Sequence, residues 1–381
     1  MKIKYTSIIA LILFLIFLGV AGLENYFVII ALAVISLIGI SKNDLKKAVG
    51  TLLPILVIHT IIYYYNYSTI SLDWVAKNLI NPVILCFLGY WMTLNMKSDK
   101  GPAKVMIIGL FMHGALNVLL YVMNPASMVD RSLVNIWGGS ITATLQNILF
   151  IPIVSLLFYG LYIVHNKIEK VFIIVAILIA IYCTFISASR TLLFLIVISF
   201  FIVMILNFKK NKYKNLNILI SMFLLIIILY VVYEFDLMGV RTWIESSSLV
   251  GRILGGINSK DSVLENVRWE MNLKVLASLS SNPFGKITVV NYAHNLFLDI
   301  AKYTGIIPAL SIFVWCITEI VKYYKHVKVS SNEWDINLFS ISVCLMIVFF
   351  LEPVLEGIPI IFGAFCYLCG IMKARRGMYI K

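Results

Sequence analysis

Three residues far apart in the chain carry side chains suited to handling a diphosphate. Arg190 stands in Ser187-Ala188-Ser189-Arg190-Thr191, a polar break between two apolar stretches. His294 stands in Asn291-Tyr292-Ala293-His294-Asn295, where another apolar stretch begins. Arg268 lies in a segment of helical periodicity. An arginine next to lipid costs energy unless it reaches water, a carboxylate or an anionic ligand. The guanidinium is planar, offers paired N–H donors and keeps its charge, all of which suit phosphate oxygens. Two of them would stabilise the charge that grows on a departing lipid-linked pyrophosphate. An imidazole beside them could take the proton of an attacking hydroxyl.

Each residue also has a plainer reading. Arg190 fits an interfacial arginine that snorkels to water. His294-Asn295 fits a polar helix start with Asn295 as cap. Glu265, three residues before Arg268, could hold it in an ordinary surface ion pair. Asn295 and Asp299 share one helical face at i, i+4, and Lys302 is placed to pair with Asp299. The basic residues Arg241, Arg252, Lys260, Lys274 and Lys286 are nearly balanced by Asp236, Glu245, Asp261, Glu265 and Glu270. A few specific arginines are therefore more plausible than a general polyanion surface.

The elements that must position these residues are membrane helices. Of 381 residues, 61% are hydrophobic and 13% charged, and the mean hydropathy is +0.97. Ordinary soluble domains hold roughly 45–50% and 25%. The composition excludes a soluble enzyme, a disordered chain, a disulfide-stapled module and a collagen-like fibre. Long unbroken apolar runs, rather than alternation, argue against an outer-membrane barrel. What remains is an all-α polytopic membrane protein, with the lipid bilayer as its surroundings. The net charge of +13 would suggest nucleic acid in a soluble protein. Here it marks cytoplasmic segments instead, and no nucleic-acid partner is expected.

Twelve runs are candidates to cross a bilayer, which takes about 20 residues. They lie near 5–22, 26–41, 48–65, 74–95, 103–123, 141–163, 168–187, 190–207, 216–234, 294–321, 337–352 and 354–372. The polar breaks Ser187–Arg190 and Glu352-Pro353 separate neighbouring runs, with a further break at Glu356-Gly357. With the N-terminus inside, alternation places most of the 31 Lys and Arg in cytoplasmic segments. Only Lys77, Arg131 and Arg190 fall in short outer segments. Both termini are therefore expected in the cytoplasm. Lys2 and Lys4 ahead of an apolar run resemble a signal peptide. That run is long and a second follows closely, so the first helix is expected to stay uncleaved.

The chain reads as one transmembrane domain, 1–381, with an extracytoplasmic loop at 235–293 between the ninth and tenth spans. Within the loop, Ser262–Ser281 reads as an amphipathic helix. Ser262 and Glu265 form a capping box. Leu264, Val267, Met271, Val275 and Leu279 form a stripe at helical spacing, and Pro283 ends it. There is no Walker A sequence, no HExxH and no Gly-rich dinucleotide fingerprint, so no cofactor and no metal are expected. Cys366 and Cys369 have CxxC spacing, but Cys86, Cys183, Cys316 and Cys344 supply no second pair. All six read as small apolar packing residues.

Three motifs together resemble the bacterial O-antigen polymerase and ligase superfamily. Ser189-Arg190-Thr191, opening an apolar helix, resembles its serine–arginine motif. Arg268, a helix and then Asn282-Pro283-Phe284-Gly285 resemble its arginine, amphipathic helix and Asn-Pro-x-Gly segment. Ala293-His294-Asn295-Leu296 through Gly305 resembles its His-Asn-x-x-Leu … Gly helix. The motifs cover about 187–308, and the rest agrees in topology alone. One departure is that Lys286 and Ile287 follow Gly285, where the family usually has a second glycine.

The resemblance implies a GT-C-type bundle of about twelve transmembrane helices in the plasma membrane. It also implies a metal-independent glycosyltransferase using an undecaprenyl-pyrophosphate-linked glycan. Carried over, Arg190 and Arg268 would hold the donor pyrophosphate and His294 would activate the acceptor hydroxyl. Asn295, Asp299, Arg241, Arg252, Glu352 and Glu356 would be further substrate-binding candidates, because they should lie on the same side. A Wzy-type polymerase of repeat units for capsule, exopolysaccharide or O-antigen is favoured over a ligase. A chain-length regulator and a flippase of the same pathway are the partner proteins it implies. The rival of another class is a lipid-linked oligosaccharide flippase. That should carry charges deep within several spans, whereas here polar residues gather at the rim.

Overall fold

The computed structural model describes residues 2–20, 26–37, 41–67, 70–128, 132–157, 164, 166–208, 216, 220, 227–228, 230–251, 263–330 and 332–378. Helix dominates: α1 Lys2–Phe17, α2 Tyr26–Leu37, α3 Lys42–Val49, α4 Leu52–Asn66, α5 Asn81–Asn95 and α6 Gly101–Met123. Then follow α7 Ala143–Ile148, α8 Ile151–Val154, α9 Lys167–Ser187, α10 Arg190–Phe208, α11 Val240–Ser246 and α12 Val263–Ser281. The chain ends with α13 Leu296–Thr304, α14 Ile306–Val329, α15 Glu333–Leu351, α16 Val354–Gly357 and α17 Ile360–Met378. Between α6 and α7, Leu133–Val134 pairs antiparallel with Ser140–Ile141. The side chain of Asn135 folds that hairpin by accepting the N–H groups of Trp137 and Gly139.

Among the described residues, five helices are long and apolar enough to cross a membrane: α6, α9, residues 190–207 of α10, α14 and α15. A sixth candidate is the pair α3–α4, bent by 57°. Among the described residues, several other expected runs are divided or form shorter helices. Residues 141–163 give α7 and α8, with Pro152 in the restarted turn. The run from 26 gives a helix of 12 residues. The run at 294–321 divides at Gly305 into α13 and α14. A π-helix at Ala76–Ile80 precedes α5. The expected span at 216–234 lies mostly outside the described residues.

The core forms where α5 and α17 pack along their lengths and α15 lies among α10, α14 and α17. Five of the six cysteines are buried in these helices, and Cys183 is buried in α9. Lys373, Arg375 and Arg376 sit in the last turns of α17, and Arg375 is buried against Asp335. Tyr323 donates to the same carboxylate at 2.7 Å. Arg376 pairs with buried Glu319 at 2.6 Å. A buried charge needs such partners, so this cluster ties α14, α15 and α17 at one end of the bundle. Glu352 closes the other end of α15, some 25 Å away at 1.5 Å per residue.

Candidate functional site

The turn before Arg190 is only two residues long. α9 ends at Ser187, and Ala188 takes a left-handed conformation at φ 49°. Asn147 fastens this end, donating to Ser187 Oγ at 2.7 Å and accepting from Thr184 at 3.0 Å. α10 therefore starts at a fixed point, with Arg190 and Thr191 in its first turn.

Thr191 faces a carboxylate. Its hydroxyl donates to Glu352 Oε1 at 3.5 Å. Arg268, on α12, donates to the same oxygen through Nη1 at 3.3 Å. Glu352 is 2% exposed and Arg268 39%. Glu352 sits at the break after α15, outside the span. Burial pushes its carboxyl up to about 7, while Arg268 and Thr191 pull it down.

His294 lies in the non-helical stretch before α13, also outside the spans. Its ring meets Tyr292 edge-on at 5.3 Å. Its Nδ1 is buried and makes no hydrogen bond within the protein. Burial, then the positive charge of Arg268, push the imidazole down to about 4. The lowered value keeps the imidazole neutral at ordinary pH, the form that can accept a proton.

The residues around His294 hold it by its backbone. Asn295 caps α13, accepting from Phe297 N at 2.9 Å and Leu298 N at 3.1 Å. Asp299 reaches back and accepts the N–H of Ala293. Burial pushes its carboxyl up to about 7. Lys302 donates to the Asn291 carbonyl and to the Tyr303 hydroxyl rather than pairing with Asp299 as expected. Asn295 and Asp299 thus fix the backbone on either side of His294.

The Asn282–Gly285 turn docks on the break between α13 and α14. Ile306 N–H donates to the Pro283 carbonyl at 2.9 Å, and Ile287 N–H to that of Lys302 at 3.1 Å. Asn66, at the end of α4, donates to the carbonyls of Phe284 and Tyr303. Backbone meets backbone so closely that a Cβ on Gly285 would lie 2.7 Å from the Tyr303 carbonyl. One on Gly305 would lie 2.3 Å from the Pro283 oxygen. Both residues also have left-handed φ, at 91° and 86°. Lys286, next in the chain after Gly285, takes φ 62°.

Among the candidates, Arg268 and Glu352 are in contact, Arg190 adjoins the Thr191 that joins them, and His294 feels the Arg268 charge. Arg241 is elsewhere: it pairs with Glu245 at 2.9 Å, four residues along α11, and lies over Tyr233. Arg252 lies outside the described residues, as do Ser262 and the side chain of Glu265. A helix does run Val263–Ser281, with Val275 and Leu279 of the expected stripe buried, but it is not cleanly amphipathic: Trp269, Leu273 and Leu276 are exposed on it. Glu356 accepts from Tyr303. Sequence reasoning missed Thr191 as a contact, although it directly follows Arg190.

An apolar groove of about 570 Å³ opens beside these residues, lined by Leu276, Leu279, Phe297, Leu310, Phe313 and Phe350, among others. Asn295, next to His294, also lines it, and Phe350 lies two residues before Glu352. The site therefore combines a cation, a neutral base and an adjoining apolar trough at one end of the helix bundle. No family model and no curated protein matches the chain.

Proposed function

We propose that this chain is a polymerase that joins undecaprenyl-pyrophosphate-linked oligosaccharide repeat units into a surface polysaccharide. It would work at the outer face of the plasma membrane through a GT-C-type bundle of about twelve spans. The observation that carries the reading is the contact of Arg268 with Glu352 beside the Arg190–Thr191 turn, with His294 within electrostatic reach of Arg268 and an apolar groove alongside. The groove would take part of the prenyl chain, since pockets of some 300–1,000 Å³ enclose small ligands. Arg268 and Arg190 would bind the diphosphate. An acceptor hydroxyl would attack the donor's anomeric carbon, forming the new C–O bond as the bond to the diphosphate oxygen breaks. His294 would take the hydroxyl proton, and the undecaprenyl diphosphate would leave with the electron pair and the negative charge. The arginines would stabilise that charge.

The opposite end of the bundle carries Lys373, Arg375 and Arg376 of α17. Placing that end in the cytoplasm follows the positive-inside rule. A flippase for the same lipid-linked saccharide remains the rival, favoured by buried Glu319 and Asp335. Both carboxylates are taken up by arginines at a helix end, which suits a structural tie.

Replacing Arg268 or His294 by Ala in cells and extracting the lipid-linked saccharides tests the reading. Single repeat units should accumulate at the outer leaflet and long polymer should vanish. Normal chain length in both variants would overturn it. Units trapped at the cytoplasmic leaflet would favour the flippase.

A further inference from the structure

Four aromatic rings gather at the same end of the bundle, at the close of α4 and across from α13. Tyr63 lies parallel to Trp74, with centroids 3.9 Å apart and planes 7° apart. Tyr67 stacks on Tyr63 at 4.9 Å and 17°. Tyr303 meets Tyr63, Tyr67 and Trp74 edge-on, at 5.5, 5.6 and 6.3 Å. The Tyr303 hydroxyl donates to Glu356 Oε1, and Glu356 is exposed. We propose that Tyr67, Tyr303 and Glu356 form a subsite that takes one pyranose ring of the acceptor saccharide, with Trp74 backing Tyr63 behind it. The inference deepens the polymerase reading and rests on it.

A membrane-interface belt would be the ordinary account of tyrosines here. It fits Tyr64 and Tyr65, which are 65% and 85% exposed. Tyr63 and Tyr67, one helical turn apart, are instead turned onto Trp74 and Tyr303. A carboxylate joined to the rings is out of place against lipid. It is the group that accepts hydrogen bonds from sugar hydroxyls, while a half-exposed ring offers a flat surface to the sugar's C–H face.

The cluster is also tied to the base. Lys302 donates to Tyr303 and to the Asn291 carbonyl, three residues before His294. Its ammonium lies 4.0 Å over the Tyr303 ring. That cation already occupies the ring face, so a neutral sugar suits the cluster better than a cationic ligand.

The test uses the full chain in lipid nanodiscs. The probe is the lipid-free repeat-unit oligosaccharide, released by mild acid from the lipid-linked unit of the host cell. Binding is read by saturation-transfer NMR. Wild type should saturate the protons of one ring. Tyr67→Ala and Glu356→Gln should each weaken binding about tenfold. Tyr67→Phe should bind as wild type, showing that the ring is what matters, and Arg268→Ala should also still bind. Wild-type affinity in both Tyr67→Ala and Glu356→Gln, or no saturation in wild type, would overturn the subsite. If wild type polymerises lipid-linked units while Tyr67→Ala keeps its acceptor KM, the subsite falls and the polymerase reading stands. If binding follows the variants but no polymer forms, the polymerase reading falls instead.

Discussion

Arg268 and Glu352 are 84 residues apart in the chain and meet at 3.3 Å, with the carboxylate buried and the guanidinium half-open. The pairing sets Arg268 in place before any ligand arrives, which lowers the cost of ordering a long side chain on binding. It also gives Arg268 a competitor. On the proposed reading, a diphosphate would have to draw the guanidinium away from Glu352 or share it.

The pair can be separated into its structural and functional parts. Arg268→Ala leaves a buried carboxylate without its cation and should lower stability by ~1–3 kcal/mol, less than for a fully enclosed pair. Adding Glu352→Gln should recover most of that stability. Polymer formation should stay absent in the double variant. A double-mutant cycle on melting temperature, run beside a chain-length gel, checks both parts.

The competition predicts a pH dependence. Burial raises the Glu352 carboxyl to about 7 in the folded protein, so it is protonated at lower pH and Arg268 is then released to the donor. Donor kcat/KM should fall as pH rises through about 7. Glu352→Gln should abolish that fall. His294 is pushed down, so it stays neutral until about 4 and the acid limb should lie there rather than near 6.5. An acid limb near 6.5 in both proteins would count against His294 as the base. The linkage to stability runs in opposite directions. Glu352 binds its proton more tightly when folded, so its contribution declines as pH rises from 4.5 towards 7. His294 binds its proton less tightly when folded, so stability declines as pH falls from 6.5 towards 4.

The left-handed lysine offers a test of the docked turn. Lys286→Gly should leave stability unchanged or raise it by up to ~1 kcal/mol, with the melting temperature moving the same way, because glycine adopts that conformation without strain. Gly305→Ala should do the reverse, since the added carbon would press on the Pro283 carbonyl. Differential scanning of the purified variants distinguishes the two.

Asp299 and Asn295 should behave as positioning residues. Asp299→Ala frees the Ala293 N–H and should lower kcat about tenfold with little change in donor KM. Asn295→Ala removes a helix cap and should cost ~1 kcal/mol of stability. A rise in donor KM without a fall in kcat would place these residues on the substrate instead.

Much of this was legible in the sequence wherever local rules govern. Apolar periodicity and Pro283 located the α12 helix, and Asn295 read as a cap. The break at Ser187–Arg190 stood out as polar residues between two apolar runs. What stayed hidden depends on chain segments folding back. The hold of Asp299 on Ala293 needs the loop to reverse over its own helix. The bond between Arg268 and Glu352 spans too many residues for any periodicity to register. The burial of Arg375 was not legible because its partner, Asp335, lies on another helix. Gly305 split an expected span because a docked turn, rather than a run of polar residues, interrupts it.

The most direct measurement is reconstitution of the purified chain in proteoliposomes with one defined undecaprenyl-pyrophosphate repeat unit and no nucleotide. Wild type should yield a ladder of polymer on a gel, and Arg268→Ala and His294→Ala should yield none. Transbilayer movement of the lipid-linked unit without any ladder, or equal ladders from all three proteins, would contradict the account.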